Sequence, residues 1–145
     1  MRDREITSSV QTGSPPWRRS APRWMVTFLG FPLGGACAGV LAGPVDSPPA
    51  ALLGGLITGS ILGVVQAWAL GHSRARAGRW IAATAIGLMT GLTLGSAAVG
   101  YATSLRALVV QGVVCGIAVG AAQAWVLWPR LGPSALAWPA ALGAA

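Results

Sequence analysis

Two matching stretches decide the fold: residues 55–68, GLITGSILGVVQAW, and residues 112–125, GVVCGIAVGAAQAW. They align at an offset of 57 residues, with glycine at every fourth position and Gln-Ala-Trp at the end. Each lies in an uncharged apolar run, and a helix needs about 20 apolar residues to cross a bilayer core of roughly 30 Å. The two stretches therefore predict two transmembrane helices, one in each copy of an internal repeat.

The whole chain is apolar enough for this interpretation. It is 54% hydrophobic and 9% charged, whereas a soluble domain carries about 25% charged residues. Membrane-barrel strands would be about 10 residues long with strict alternation, which this sequence lacks. We therefore expect an all-α membrane protein with four transmembrane helices, at 24–43, 50–70, 80–101 and 107–128.

Three segments follow from this pattern. Residues 1–23 are polar and are expected to form a flexible cytoplasmic tail, and 24–129 form the four-helix transmembrane domain. Residues 130–145 form a short cytoplasmic or interfacial C-terminal segment. Within it, Trp138-Pro-Ala-Ala echoes Trp80-Ile-Ala-Ala, as if a third repeat began there.

Arginine placement predicts the orientation. All ten basic residues are arginine, and nine flank one side of the predicted spans, leaving Arg106 on the other. Because cytoplasmic loops carry the excess of positive charge, both termini should lie in the cytoplasm. The composition, rich in Ala, Gly and Arg, favours a multi-pass protein of a bacterial cytoplasmic (inner) membrane. The net charge of +7 then needs no nucleic-acid partner.

One alternative concerns the amino-terminal part. Arg18-Arg19, the apolar stretch that follows and Ala36-Cys37-Ala38 together resemble an export signal with a cleavage site. Cleavage there would discard half of a matched repeat. The transmembrane interpretation of 24–43 explains the same residues without that loss.

The first and third runs also match, more weakly, at an offset of 56. The chain would then contain two parallel tandem helix-hairpin repeats, related by an axis along the membrane normal. The matched residues are Arg23-Trp24 with Arg79-Trp80, Gly35 with Gly91, and Gly39 with Gly95.

Each predicted span carries three glycines at steps of four, which form one smooth stripe because four residues turn a helix by about 400°. Such stripes let membrane helices approach closely. They indicate a glycine zipper, used either for packing within the chain or for an interface with a second copy or another protein. The predicted packing residues are Gly35, Gly39, Gly43, Gly55, Gly59, Gly63, Gly87, Gly91, Gly95, Gly112, Gly116 and Gly120.

Two further sets of residues complete the candidate sites. Gln66 and Gln123 follow their glycine stripes by seven residues and should face the bundle, where they would fix the register between the repeats or contact a solute. Tryptophans favour the headgroup level. The predicted interface anchors are Trp24, Trp68, Trp80, Trp125 and Trp128.

The chemistry of catalysis is missing from the predicted spans. No Asp, Glu, Lys, Arg or His lies within them, although such residues mark proton relays and intramembrane catalysis. The acids are Asp3, Glu5 and Asp46, the single histidine is His72, and the two cysteines have no metal-ligand spacing. We therefore predict no catalytic, cofactor-binding or metal-binding residues, and a protein that is not an enzyme.

The glycine triplet followed by G-x-x-Q-A-W-x-L, repeated after a helix that starts with Arg-Trp, resembles tandem modules of poorly characterised bacterial membrane proteins. The resemblance covers roughly residues 23–128. It implies a four-helix membrane domain and no assigned activity.

Three functions remain in competition. The first is a non-enzymatic structural or accessory subunit, or a homo-oligomer, that packs through its glycine stripes. The second is a small transporter or channel for a neutral or hydrophobic solute, with Gln66, Gln123, Thr58, Thr90 and Thr93 as its polar contacts. The third is contact with anionic lipids at the cytoplasmic surface. The expected partners are the lipid bilayer and a membrane protein, either a second copy or another chain.

Overall fold

The computed structural model describes residues 16–137 and 139, with side chains from Met25 onward apart from that of Ala75. Four long helices follow one another, and a short 3-10 helix covers Gly132–Leu136. Each of the four is long and apolar enough to cross a membrane, and the described residues contain no strand. The helices are α1 Pro16–Ala42, α2 Pro48–Ala69, α3 Arg74–Ala98 and α4 Leu105–Leu131.

The helix ends follow from local sequence. Proline occupies the first turn of α2, where its missing N–H costs nothing. The Ser104 hydroxyl accepts a hydrogen bond from the N–H of Ala107 at 3.3 Å and so caps α4. Beyond α3 and α4 the chain turns at Gly100 and Gly132, whose φ angles of 58° and 53° suit glycine.

The helices extend beyond the predicted apolar runs. Helix α1 begins at Pro16, so residues 16–23 are helical and not a flexible tail, while the rest of that tail lies outside the described residues. Helix α3 begins at Arg74 and not at Trp80. Arginine is a good helix former, so a helix continues past the point where its sequence stops being apolar.

Consecutive helices are antiparallel neighbours. In the described part of the chain α1 contacts α2, α2 contacts α3, and α3 contacts α4, whereas the backbones of α1 and α4 remain apart. One end of the assembly therefore holds the 70–73 turn and the 3-10 helix. The other end holds the turns at 43–47 and 99–104.

Glycines make the two central contacts. A Cβ atom on Gly59 would stand 2.7 Å from the Cα of Ala85, and one on Gly91 would stand 2.7 Å from the Cα of Cys115. Such approaches are too short for any residue but glycine. The stripe of α2 thus lies directly on the backbone of α3, and the stripe of α3 on that of α4. The other close pairs are Gly55–Met89, Gly63–Ile81, Gly87–Val119 and Gly95–Gln111.

Helix α1 packs on α2 through glycines outside its predicted stripe. It contacts α2 through Gly30 and Gly34, where added Cβ atoms would meet Leu62 and Thr58 at 3.0 and 2.9 Å. The predicted stripe of Gly35, Gly39 and Gly43 has no atom of another residue near its added Cβ positions. Helix α1 carries two series of small residues at steps of four, and it contacts α2 through the series that begins at Gly30.

Helix α4 uses its stripe in part. Gly120 lies against the backbone of Pro139, Gly116 is half-buried, and Gly112 faces open space. The segment after α4 therefore covers one end of this stripe and leaves the other end uncovered.

Candidate functional site

A buried polar cluster joins α2, α3 and α4. The Gln123 side chain is 1% exposed, and its amide N–H groups donate to Gln66 Oε1 at 3.1 Å and to Thr84 Oγ1 at 2.9 Å. The Thr84 hydroxyl in turn donates to the carbonyl of Trp80 at 2.9 Å. The structure therefore brings the two predicted register residues into direct contact.

Trp80 belongs to this cluster and not to the membrane interface. It is 3% exposed, and its indole N–H donates to Gln66 Oε1 at 3.1 Å. The prediction of an interface anchor at Trp80 is thus corrected, because Gln66 gives the indole a buried partner. Trp68, Trp125 and Trp128 are exposed, as anchors would be, and the Trp24 side chain lies outside the described ones.

The cluster is suited to holding helices together. Interhelical hydrogen bonds of this kind contribute about 0.6–2 kcal/mol each in membranes, and Gln66 Oε1 accepts two of them. The backbones of α2 and α4 are not in close contact, and the glutamine pair gives them a direct polar link. A solute site at Gln66 and Gln123 would need their side-chain amides, but the Gln123 amide already donates to Gln66.

Most other polar side chains in the helices are also satisfied locally. Ser60 and Thr93 donate to carbonyls one turn back in their own helices, at 2.7 and 2.8 Å. Near the opposite end, the Gln111 amide donates to the buried hydroxyl of Ser96. Thr90 is exposed on the outside of α3, whereas Thr58 lines a cavity.

That cavity is a largely apolar groove between α1 and α4, which we call the glycine groove. Its volume is about 530 Å³, and all four helices line it. Gly35 and Gly39 form its α1 wall, and Gly43 continues that wall in the turn after α1. Gly112 lies on its α4 wall, and Gln111 and Thr58 supply polar atoms. The groove exists because α1 packs through its other small-residue series and leaves this one uncovered.

The end of the bundle that holds the 70–73 turn is basic. His72 stacks near Trp80, with ring centroids 5.4 Å apart. Burial and the positive charges of Arg76 and Arg130 lower the pKa of His72 below its ordinary value of 6.5. The imidazole is therefore neutral at pH 7, and its buried Nδ1 makes no hydrogen bond to any described residue. His72 thus lies between the buried polar cluster, which it contacts at Trp80, and the arginines of the basic end.

The described residues hold no group of three or more His, Cys, Asp or Glu side chains that could bind a metal ion. Both cysteines carry free thiols. Comparison of the chain with protein-family models, with curated proteins and with solved structures finds no match. Function must therefore be argued from the chain's own geometry.

Sequence reasoning missed three features of these sites. The packing role of Gly30 and Gly34 was visible as a second four-residue spacing, but two such series in one helix do not say which one contacts α2. The burial of Trp80 left no signal in the sequence. Arg76 and Arg130 lie at the same end of the bundle because α3 and α4 are antiparallel, so the start of α3 lies beside the end of α4.

Proposed function

We propose that this chain is a non-enzymatic integral membrane protein that associates with a second copy of itself through the glycine face of α1. The observation that carries the proposal is the uncovered stripe of Gly35, Gly39 and Gly43 beside the glycine groove. The stripes of α2 and α3 each receive the backbone of another helix. The stripe of α1 has the same spacing, and none of the described residues covers it.

Membrane insertion is supported by the exposed surface. Large apolar side chains cover the outside of the helices, with Val40 85% exposed and Leu105 80% exposed. Monomeric soluble proteins rarely expose continuous apolar patches of this extent. The natural solvent for such a surface is lipid hydrocarbon.

The proposed orientation places both termini in the cytoplasm of a bacterial cell. The antiparallel order of the helices brings the start of α1, the 70–73 turn and the end of α4 to one end of the bundle. Nine of the ten arginines belong to that end by sequence. The positive-inside rule favours retention of this end in the cytoplasm.

Interhelix register supports two tandem repeats. Residues that contact each other between α1 and α2 have counterparts 57 positions later that contact each other between α3 and α4. The same offset of 57 relates the sequences of α2 and α4. We infer that α1 aligns with α3 at 57 and not at the predicted 56. The opposed residues are Gly30–Leu62 and Gly34–Thr58 in one hairpin, and Gly87–Val119 and Gly91–Cys115 in the other.

A second copy is the occupant that fits the α1 stripe best. Two copies inserted with the same orientation present their α1 helices to each other in parallel. Parallel pairing through small residues at steps of four is the arrangement of GxxxG helix dimers, in which close backbone approach supplies the van der Waals attraction. From Met25 to Ala42, α1 contains no charged residue that would oppose it.

The test replaces Gly39 by leucine. We expect Gly39→Leu to keep the helical fold, because an added Cβ meets nothing there, but to weaken self-association at least tenfold, or about 1.4 kcal/mol. Single-molecule photobleaching in bilayers would measure the fraction of dimers. Ala36→Leu is the matched control, since Ala36 is exposed on α1 but off the stripe. A wild-type chain that stays monomeric at high density in the bilayer would refute the proposal.

The glycine groove also favours a second candidate function, transport of a small neutral or hydrophobic solute. Its volume lies within the range of about 300–1,000 Å³ that is typical of ligand pockets. Thiol labelling at Thr58→Cys, in a chain with both native cysteines replaced by serine, separates the two functions. A solute path through the groove predicts rapid labelling by a water-soluble maleimide, whereas a lipid-filled or helix-filled groove predicts protection at this position.

A further inference from the structure

A second cavity lies at the basic end of the bundle. His72 from the 70–73 turn, Arg76 and Arg79 from α3, and Arg130 from α4 line a cavity of about 200 Å³, which we call the basic pocket. Three arginines from two helices thus line one small volume. The antiparallel pairing of α3 with α4 produces this arrangement.

Among the residues that the structure describes, no acidic side chain lies near the basic pocket. Within the described residues the acidic side chain is Asp46, which lies in the turn at the opposite end. Arg76 donates its Nε–H to the Ser73 hydroxyl at 3.0 Å, which leaves its charge uncompensated. Like charges gathered at one site repel one another, so a bound anion would relieve this repulsion.

An apolar groove lies beside the basic pocket on the outside of the bundle. It has a volume of about 420 Å³ and runs between α3 and α4. Arg79, Val126 and Pro129 line both cavities, so the two lie side by side. The small side chains of Ala83 and Ala122 form part of this groove, which we call the alanine groove.

We propose that the basic pocket and the alanine groove together bind one anionic phospholipid, with its phosphate among the arginines and an acyl chain along the alanines. Guanidinium groups match the oxygens of a phosphate in geometry as well as in charge. Basic pockets between membrane helices are known to receive anionic headgroups. This inference rests on membrane insertion, but it does not depend on self-association through α1.

The first experiment compares two double variants that lose equal charge. Arg76→Gln/Arg130→Gln removes two pocket arginines, and Arg74→Gln/Arg106→Gln removes two exposed arginines outside it. Native mass spectrometry would count phosphatidylglycerol and phosphatidylcholine molecules, with identical acyl chains, that remain on each protein. We expect the pocket variant to bind phosphatidylglycerol about 25-fold more weakly, at about fivefold per arginine. The control variant and phosphatidylcholine binding should stay near wild type.

A third variant tests the acyl-chain site and separates the lipid from free phosphate. Ala122→Phe fills the alanine groove without touching any charge, so it should weaken phosphatidylglycerol binding while the chain keeps its helical circular dichroism spectrum. Inorganic phosphate, added to the protein in phosphatidylcholine nanodiscs, should bind far more weakly than the lipid.

Two results would overturn the inference. Equal loss of phosphatidylglycerol from both double variants would mean that total charge, and not the basic pocket, retains the lipid. Phosphate binding that depends on Arg76 and Arg130, with no preference for phosphatidylglycerol over phosphatidylcholine, would assign the pocket to a soluble anion. Because Gly39→Leu reports on self-association separately, failure here leaves the proposed function unaffected.

Discussion

Gly59→Leu should prevent α2 and α3 from packing, whereas Gly112→Leu should leave the fold intact. A Cβ atom on Gly59 would stand 2.7 Å from the Cα of Ala85 and 2.9 Å from the carbonyl oxygen of Thr84. Both are backbone atoms, which cannot turn away as a side chain can. We expect a loss of at least about 3 kcal/mol, the upper part of the range for overpacked cores.

Gly112 supplies the matched control for this substitution. It is also a stripe glycine within a long helix, but nothing lies within 4 Å of its added Cβ. Unfolding in increasing concentrations of a denaturing detergent, followed by circular dichroism and tryptophan fluorescence, would compare the two variants with the wild type. Equal stability of Gly59→Leu and Gly112→Leu would show that the α2–α3 contact is not as close as described.

The second large effect concerns the face that α1 presents to α2. Gly34→Leu should detach α1, because its added Cβ would stand 3.0 Å from the Cα and 3.1 Å from the carbonyl oxygen of Thr58. Gly35→Leu should leave α1 in place, since that position is open. In the described structure α1 has no other helix to hold it, so loss of this contact frees it from the bundle.

A designed disulfide can report on this contact directly. A Cβ atom on Gly54 would stand 3.9 Å from the Cβ of Ala38, within the spacing of about 3.5–4.5 Å that a disulfide requires. In a chain without its native cysteines, Ala38→Cys/Gly54→Cys should cross-link on oxidation. Adding Gly35→Leu should preserve the cross-link, and adding Gly34→Leu should abolish it. If Gly35→Leu abolished the cross-link and Gly34→Leu preserved it, α1 would pack on α2 through the stripe that contains Gly35, as the sequence alone predicted.

The number and type of the helices could be predicted from the sequence because both depend on long uncharged runs. Their ends could not, since Arg74 and its neighbours continue α3 beyond its apolar part. Contacts that follow from helix periodicity alone were also accessible, as the meeting of Gln66 with Gln123 illustrates.

Choices between equivalent faces were not accessible. Gly35 matches Gly91 in the sequence at an offset of 56, but Gly34 and not Gly35 contacts α2, at Thr58. A shift by one residue rotates a helix by about 100°, so a weak alignment does not say which face of α1 packs. Trp80 was misassigned for a related reason, because an indole can bond either water at the interface or a buried amide.

The chain-order packing of this molecule has a consequence for its biosynthesis. Since each helix contacts the one made just before it, a helix entering the bilayer finds its partner already present. Contacts between chain neighbours favour rapid folding. The exception is the bond from Gln123 to Gln66, which can form only after α4 has entered. The polar cluster that joins α2, α3 and α4 is thus completed only when α4 has been inserted.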